Sequence, residues 1–310
     1  MSQAFAHTPV MRDEIVDQLG HVPQGLLIDA TVGGGGHSAA LLEANAGLRL
    51  LGLDRDPDAL AAAGVRLAPF GDRVTLRRAR FDAMADFVAN MAVTAVLFDL
   101  GVSSPQLDRP ERGFSYRFGG PLDMRMDPAG GLTAGDVVNT YAVDRLAALF
   151  RANGEGRFAS RIARAIVAAR PLDDTLVLAS VVRDAIPAPA RRTGGHPAKR
   201  VFQALRIEVN GELDILVPAL NVALDLLAPG GRLAVLTYHS GEDRLVKATF
   251  AEAASGGCHC PPGLPCVCGA TPTHRLVFRG SRTPSAAELA TNRRAESARL
   301  RVIQRLEGAA

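Results

Sequence analysis

The fold is decided by the stretch Leu26-Leu27-Ile28-Asp29-Ala30-Thr31-Val32-Gly33-Gly34-Gly35-Gly36-His37-Ser38. It combines a short apolar strand, an acidic residue where the strand ends, four consecutive glycines and the start of a helix. Glycines have no Cβ atom, so the backbone N–H groups of this turn can approach a ligand closely and take positive φ angles. A helix beginning at about Ser38 adds the unpaired N–H groups of its first turn. Because open α/β sheets bind ligands at the carboxyl ends of their strands, the stretch predicts a nucleotide-binding turn.

Strands and helices alternate on both sides of this turn. Thr8 is a suitable cap for a first helix over 10–19, and Asp56 is suitable for a helix over 58–67. Apolar patterns predict further strands at 48–53, 74–80, 95–100 and 232–239, and an antiparallel pair at 274–279 and 297–305. The alternation is typical of an α/β sheet whose strands are mostly parallel.

Residues 111–198 interrupt the alternation. They contain no convincing strand, and helical periodicity recurs at 134–139, 144–152, 157–169 and 175–186. A long helix over 201–227 then leads back to the sheet. The pattern predicts a Rossmann-like α/β domain formed by residues 1–110 and 199–310, with residues 111–198 inserted as an all-helical domain.

Length and composition limit the classes of protein that fit. The chain has 310 residues, 47% of them hydrophobic, which is enough for about two domains with real cores. No apolar run reaches the roughly 18 residues of a membrane span, and residues 1–12 lack a secretory pattern, so we expect a cytosolic protein. The formal net charge is only +3, although nearly all basic residues are arginine. That bias suits contacts with phosphates and bases, and a GC-rich genome explains it equally well.

Acidic residues around the glycine turn distinguish between nucleotide ligands. Gly34, Gly36 and Ala39 satisfy the dinucleotide fingerprint G-x-G-x-x-A. Asp54, at the end of the second strand, can accept hydrogen bonds from both hydroxyls of a ribose. Asp29 would repel the pyrophosphate of a dinucleotide, but it suits a ligand with an ammonium group and no phosphate. We therefore expect S-adenosylmethionine in the turn, and keep a nicotinamide-dependent oxidoreductase as the alternative.

Residues after the third and fourth strands complete the predicted site. Phe81 follows the third strand and either covers an adenine or belongs to the core. Asp99 ends the fourth strand and is followed by the polar loop 101–108, which contains Ser103 and Ser104. A catalytic loop belongs at this place in an α/β architecture.

Several long blocks of the sequence resemble the bacterial 16S ribosomal RNA cytosine-N4 methyltransferases, the family called RsmH or MraW. The resemblance covers residues 7 to about 305. It rests on the blocks 7–10, 29–38, 54–57, 99–108, 111–115, 120–127, 196–200, 202–207 and 239–244. The long blocks are specific to that family, whereas the glycine turn is not. It implies a seven-stranded class I methyltransferase sheet with a helical insertion and S-adenosylmethionine as donor. It also implies the N4 amine of a cytidine in the decoding (P-site) region of 16S ribosomal RNA as acceptor. The cofactor contacts that it implies are Gly35, Gly36, His37, Asp54, Phe81, Asp99 and Gln106.

The chemistry of the acceptor can be considered separately. Methylation at C5 of cytosine needs a cysteine nucleophile, but all four cysteines lie between Cys258 and Cys268, beyond the fifth strand. Attack by an exocyclic amine needs only alignment with the methyl group and an acceptor for the proton. Asp99 is the best candidate acceptor, with Ser103 and Ser104 as further oxygens. The alternative is that Asp99 only contacts the cofactor.

Other polar residues have both a functional and a structural interpretation. His239 ends the fifth strand and either contacts the base or phosphate or supports a helix capped by Ser240 and Asp243. Basic clusters either bind the phosphates of RNA or are solvated surface, and they occur at 77–80, at Arg191 and Arg192, at 199–200 and at 293–294. The inserted domain is the expected substrate-binding surface, for 16S ribosomal RNA alone or within the small ribosomal subunit.

The cysteines form the pattern C-x-C-x5-C-x-C between Cys258 and Cys268. Four thiolates so close in sequence can hold zinc, but paired zinc ligands are usually separated by two or more residues. The default interpretation is a proline-rich surface loop, so we assign no metal ligand. A non-catalytic ribosome-assembly factor that retains the cofactor fold remains a further alternative, and the oligomeric state is open.

Overall fold

The computed structural model describes residues 9–191, 196–261 and 267–308, except for the side chain of Ser104. Thr8 and Arg192, named above, and Cys266, the third cysteine of the C-x-C-x5-C-x-C pattern, lie outside the described residues. The strands are β1 (Gly25–Asp29), β2 (Leu48–Asp54), β3 (Val74–Arg78), β4 (Val93–Asp99), β5 (Leu227–Thr237), β6 (His274–Leu276) and β7 (Arg299–Arg305). They form one seven-stranded sheet in the order β3-β2-β1-β4-β5-β7-β6. β7 runs antiparallel to both of its neighbours, and β1 to β5 are parallel.

The helices of the described chain fall between and beyond these strands. They are α1 (Arg12–Leu19), α2 (Gly36–Ala44), α3 (Pro57–Leu67), α4 (Ser104–Asp108), α5 (Ala134–Thr140), α6 (Val143–Ala152), α7 (Ala159–Ala168), α8 (Thr175–Ala185), α9 (Ala188–Arg191), α10 (Lys199–Asn210), α11 (Leu216–Leu226), α12 (Ser240–Ser255) and α13 (Ala286–Thr291). Within the described ranges, every helix is too short or too polar to cross a lipid bilayer.

The chain divides into two compact units, one formed by residues up to Gly101 and from Asp214, and one by Val102–Leu213. The first unit contains the sheet. The middle residues of its central strands are apolar, as in Leu27-Ile28 of β1 and Val96-Leu97-Phe98 of β4, since helices cover both faces. Leu27 packs on one face with side chains of α1 and α2, whereas Ile28 packs on the other face with side chains of α11 and α12.

The register of the sheet places three acidic residues at one edge. Asp29 lies beside Gly52 of β2 and Leu97 of β4, and Asp99 lies beside Leu236 of β5. Asp54 is the last residue of β2. Strand order reverses between β1 and β4, which is where an open α/β sheet leaves a crevice for a ligand.

The second unit is helical, from α4 to α10, and has its own apolar core. Phe150, Ile162 and Leu205 are fully buried in it. The side-chain amide of Asn210 accepts from Met126 N at 2.8 Å and donates to Met124 O at 2.8 Å, which ties α10 to the preceding loop. The unit extends beyond the predicted insertion, 111–198, at both ends. Its role as a substrate-binding domain stays a prediction.

The single long helix predicted over 201–227 is wrong. The structure has two helices there, α10 and α11. Gly211 ends α10 in the left-handed conformation, with φ 60° and ψ 34°. Glycine adopts this conformation without a steric penalty, so it terminates helices efficiently. The apolar pattern resumes in α11, which belongs to the first unit.

Candidate active site

The glycine turn connects β1 to α2. Gly33 and Gly35 have φ angles of 51° and 74°, and Gly35 is the N-cap of α2. A Cβ atom on Gly36 would lie 2.5 Å from Pro9 Cγ, and one on Gly35 would lie 3.1 Å from Leu67 Cγ. Gly35 therefore needs to be glycine because of its positive φ and its close contact with Leu67, and Gly36 because of its close contact with Pro9. Gly34 precedes these two residues in the turn. The turn presents backbone rather than side chains, as a nucleotide-binding turn requires.

Asp54 fastens this turn to the end of β2. One carboxylate oxygen accepts from Gly33 N at 2.9 Å, and the other accepts from Asp56 N at 2.9 Å. Burial raises the pKa of Asp54 above its ordinary value. Each oxygen keeps a second lone pair, so the carboxylate can still accept from a ribose. Asp56 accepts from Asp58 N at 3.0 Å as the cap of α3, which confirms its predicted structural role.

Asp29 is nearly inaccessible, with 2% of its surface exposed. It accepts from Ser38 Oγ at 2.5 Å and from Thr31 N at 3.3 Å, so it also joins β1 to the first turn of α2. Burial, opposed by the Ser38 hydrogen bond, raises the pKa of Asp29 to about 6. A buried carboxyl with this pKa is sensitive to a cation placed beside it, because the cation favours the ionised form. The predicted contact with an ammonium group is compatible with this environment and stays a prediction.

Asp99 is the polar centre of the site. Tyr238, directly after β5, donates its hydroxyl to Asp99 Oδ1 at 2.7 Å, and His37 Nε2 lies 3.5 Å from Asp99 Oδ2. Thr31 Oγ1 accepts from Asp99 N at 2.7 Å. The Asp99 side chain is 29% exposed, so a substrate can reach it. Tyr238 and Thr31 are not among the site residues predicted from the sequence.

Tyr238 is held as a neutral hydrogen-bond donor. Burial and the Asp99 carboxylate raise its pKa well above the ordinary tyrosine value. The phenol therefore remains protonated through the neutral range, and its hydroxyl donates to Asp99 throughout. The signal for this residue in the sequence is its position at the carboxyl end of β5, beside β4.

His37 carries the clearest indication that a polar ligand binds here. The side chain is only 6% exposed, and neither ring nitrogen has a hydrogen-bond partner among the described residues. Buried polar atoms are usually satisfied, so an unpartnered imidazole needs an explanation. Its position at the start of α2, between the glycine turn and Asp99, fits a nucleoside-type cofactor with several polar groups.

His239 has the structural role of a helix cap. Its Nδ1 accepts from Gly241 N at 3.2 Å and Glu242 N at 3.4 Å, while Glu242 Oε2 accepts from His239 N at 3.3 Å. The predicted cap of Ser240 with Asp243 is therefore wrong, because the helix begins at Ser240 and its N-cap is one residue earlier. The His239 side chain is 10% exposed and faces Glu242. A contact of His239 with substrate stays a prediction.

Ser103, Ser104 and Gln106 belong to the second unit. Ser103 caps α4, accepting from Gln106 N at 3.4 Å, and Gln106 Oε1 accepts from Ser103 N at 3.0 Å. The pair forms a capping box, which gives both residues a structural function. The catalytic role of the two serines and the cofactor contact of Gln106 stay predictions.

Phe81 is buried in the core of the first unit. Its ring packs edge-to-face against Phe98, with centroids 5.5 Å apart and planes at 71°. This contact corresponds to the core interpretation of the residue. The contact of Phe81 with an adenine stays a prediction.

A seven-stranded sheet in which β7 runs antiparallel between β5 and β6, with Asp29, Asp54 and Asp99 at its carboxyl edge, defines a class I methyltransferase domain. The chain belongs to the MraW methylase family, whose model matches residues 4–306. It is 50% identical over 311 residues to the ribosomal RNA small subunit methyltransferase H of Heliobacterium modesticaldum, covering 97% of this chain and 99% of that protein. It is 51% identical over 312 residues to the protein of the same name from Symbiobacterium thermophilum, covering 98% of each.

These comparisons confirm the predicted family, the fold class and the enzyme class. The chain is a methyltransferase with S-adenosyl-L-methionine as its methyl donor. The nicotinamide-dependent oxidoreductase is excluded by the family. The turn, the acidic residues and the unpartnered His37 nitrogens all fit this donor, which brings an ammonium group, a ribose and an adenine.

Proposed function

We propose that this chain transfers a methyl group to the exocyclic N4 amine of a cytidine in the decoding (P-site) region of 16S ribosomal RNA, in the cytoplasm. Relatives that are 50–51% identical to it are named as methyltransferases of the small-subunit ribosomal RNA. The observation that carries the choice of an amine acceptor is the partly exposed Asp99 carboxylate, hydrogen-bonded by Tyr238 at the carboxyl edge of the sheet.

Asp99 has the features of a proton acceptor for an amine. The lone pair of the cytosine amine is delocalised into the ring, so the nitrogen becomes nucleophilic only as one of its protons is transferred to a base. A carboxylate oxygen within hydrogen-bond distance can accept that hydrogen as the new bond forms. Tyr238 engages Asp99 Oδ1, and Oδ2 has His37 Nε2 at 3.5 Å, a weak contact that leaves acceptor capacity for substrate. The bound cofactor supplies an electrophilic methyl group on its sulfonium.

The position of the cysteines argues against methylation at a ring carbon. α12 starts at the carboxyl edge of the sheet and has 16 residues, so it is about 24 Å long. Cys258 follows its far end, after Gly256. Within the described chain, no thiol therefore lies at the edge where Asp99 ends its strand, and attack through a cysteine adduct lacks its nucleophile.

The residues proposed to hold the cofactor all have a physical reason for their role. The turn offers backbone N–H groups, Asp29 an anionic partner for the ammonium group, and Asp54 an acceptor for the ribose hydroxyls. His37 gives Nδ1 and Nε2, neither of which has a hydrogen-bond partner among the described residues, although Nε2 lies 3.5 Å from Asp99 Oδ2. The remaining proposed contacts are Phe81, Asp99 and Gln106.

The second unit is proposed to bind the RNA backbone. α7 buries Ile162 and Ile166, and it exposes Arg161 and Arg164, which are three residues apart and lie on one face. Exposed arginines bind phosphates without reading sequence. The single cytidine itself must be unstacked, because base edges are hidden in the grooves of an RNA helix.

Nucleoside mass spectrometry tests the function directly. Small ribosomal subunits and naked 16S ribosomal RNA, both lacking the modification, are incubated with the protein and cofactor carrying a labelled methyl group. We expect labelled N4-methylcytidine in at least one of the two substrates. Label found only on C5 of cytosine would contradict the amine mechanism. No transfer to either particle, with cofactor binding shown by calorimetry, would instead indicate a non-catalytic assembly factor.

A further inference from the structure

Three thiols lie together in the segment between α12 and β6. The Sγ atoms of Cys258, Cys260 and Cys268 all lie within 4.8 Å of one another, although Cys268 is ten residues from Cys258. Cys258 and Cys260 are partly buried and Cys268 is exposed. The fourth cysteine of the sequence, Cys266, lies outside the described residues, and nothing below depends on it.

The distances match a metal centre better than a disulfide. Thiolates bound to tetrahedral zinc at about 2.3 Å are roughly 3.8 Å apart from one another. The Cys258 and Cys268 sulfurs are 3.6 Å apart. A disulfide joins two sulfurs at about 2 Å, and it does not explain why a third cysteine sulfur lies beside the other two. Three sulfurs converging on one point are the arrangement that a shared cation stabilises.

The backbone around the sulfurs supports this arrangement. Gly257, directly before Cys258, and Gly269, directly after Cys268, both have a φ of 72°. These left-handed backbone conformations flank the two outer cysteines of the site. Val267 N donates to Cys260 Sγ at 3.4 Å. A backbone N–H pointing at a sulfur stabilises its thiolate form, which is the form that binds metals.

The described residues around the three sulfurs form no apolar core that could hold them in place. Between Cys258 and Thr273, none of the described residues is buried, and Val267 is 90% exposed. Short segments that bury little apolar surface need a cross-link to offset the entropy of ordering them. A metal bound by several thiolates supplies such a cross-link, because its binding energy becomes folding energy.

We propose that Cys258, Cys260 and Cys268 bind one thiophilic divalent cation, with zinc as the natural occupant. Soft thiolate ligands select zinc over magnesium or calcium, which prefer oxygen. The site lies at the end of α12 that is remote from the carboxyl edge of the sheet. Its role is therefore to hold Cys258 and Cys260 to Cys268 rather than to take part in methyl transfer. Binding replaces the thiol protons, which are released to solvent.

Metal analysis of the purified protein tests the proposal. Protein from zinc-supplemented cells, desalted and measured by plasma mass spectrometry, is expected to hold about one zinc per chain. Replacement of zinc by cobalt(II) is expected to give an intense thiolate-to-metal charge-transfer band and the strong visible bands of a tetrahedral site. Cys258→Ser combined with Cys268→Ser is expected to abolish both signals, while the exposed control Val267→Ala keeps them.

A second measurement uses the unaltered protein, in case the double variant does not fold. A thiol reagent is added to the native protein before and after removal of metal by a chelator. We expect at least three of the chain's four cysteines to react slowly until the chelator is present. Protection of fewer than three thiols, absence of zinc after reconstitution, an octahedral cobalt spectrum, or a Cys258–Cys268 disulfide in freshly purified protein would each overturn the proposal.

Discussion

The hydroxyl of Tyr238 donates to Asp99 Oδ1 at 2.7 Å, and this bond joins the ends of β5 and β4 at the carboxyl edge of the sheet. The bond fixes one oxygen of the Asp99 carboxylate. The Asp99 side chain is partly exposed, and its other oxygen faces His37. A neutral phenol is suited to this task because it donates one hydrogen bond and brings no charge to the site.

Asp99→Ala is expected to reduce kcat for methyl transfer by about 100-fold or more, which is the range of a lost proton acceptor. The control is Asp56→Ala, which removes a helix cap and costs about 1 kcal/mol of stability but keeps the backbone N–H that donates to Asp54. Single-turnover transfer of labelled methyl to small subunits measures both. Equal losses in the two variants would show that Asp99 has no role in chemistry.

Tyr238→Phe keeps the ring and removes the donor. A hydrogen bond to a charged group contributes about 1.5–3 kcal/mol, so we expect kcat to fall about 10- to 100-fold. Binding of the cofactor, measured by calorimetry, is expected to change much less, because the backbone turn and Asp54 remain intact. A variant with unchanged kcat would mean that the Tyr238 bond only stabilises the fold.

Local signals predict most of the sheet, because strand ends, glycines and acidic residues lie next to one another in the chain. The Tyr238–Asp99 pair is missed since its members are 139 residues apart. The fold class implies that β5 lies beside β4, but a pattern of local periodicity does not specify which side chain at the end of β5 reaches Asp99. The break at Gly211 is missed because a glycine inside a continuing apolar pattern is tolerated in many helices.

The cap of α12 is missed for a chemical reason. Serine is a preferred N-cap residue and histidine is not, so the sequence pattern predicts Ser240 as the cap. In the structure the imidazole Nδ1 serves as the acceptor that a serine oxygen would usually provide. Glu242, three residues later, is the part of the capping box that a sequence pattern can indicate.

His239→Ala is expected to destabilise the protein by about 1 kcal/mol, because the first N–H groups of α12 lose their acceptor. Ser240→Ala, the matched control, is expected to change stability by less than about 0.5 kcal/mol. Urea denaturation followed by circular dichroism measures both. A fall in methyl transfer for His239→Ala without any loss of stability would instead support its contact with substrate.

Arg161→Ala combined with Arg164→Ala is expected to weaken binding of 16S ribosomal RNA and to flatten its salt dependence. Each phosphate contact with a single strand contributes about 0.7 to the slope of log K against log salt, so the double variant is expected to lose about 1.4. Filter binding at several salt concentrations measures the slope, with cofactor affinity as the control. An unchanged slope would show that Arg161 and Arg164 of α7 do not contact RNA phosphates.

Asp29 is expected to make stability depend on pH in the acidic range. Its pKa is about 6 in the folded protein against 3.8 for the free side chain, so between these values the unfolded chain releases a proton that the folded protein keeps. The folded state is therefore favoured below pH 3.8 and progressively loses this advantage, by about 3 kcal/mol, as pH rises through 6.

Comparison with Asp29→Asn isolates this effect, because the amide is neutral at every pH. The Tm of the parent protein minus the Tm of the variant is expected to fall as pH rises from about 4 to 7. Above that range the difference is expected to stay constant. An ammonium-bearing cofactor favours the ionised carboxylate. Cofactor affinity of the parent protein is therefore expected to increase as pH rises through 6, and that of the variant is expected to stay constant. The same pH dependence in both proteins would show that Asp29 does not contact the cofactor.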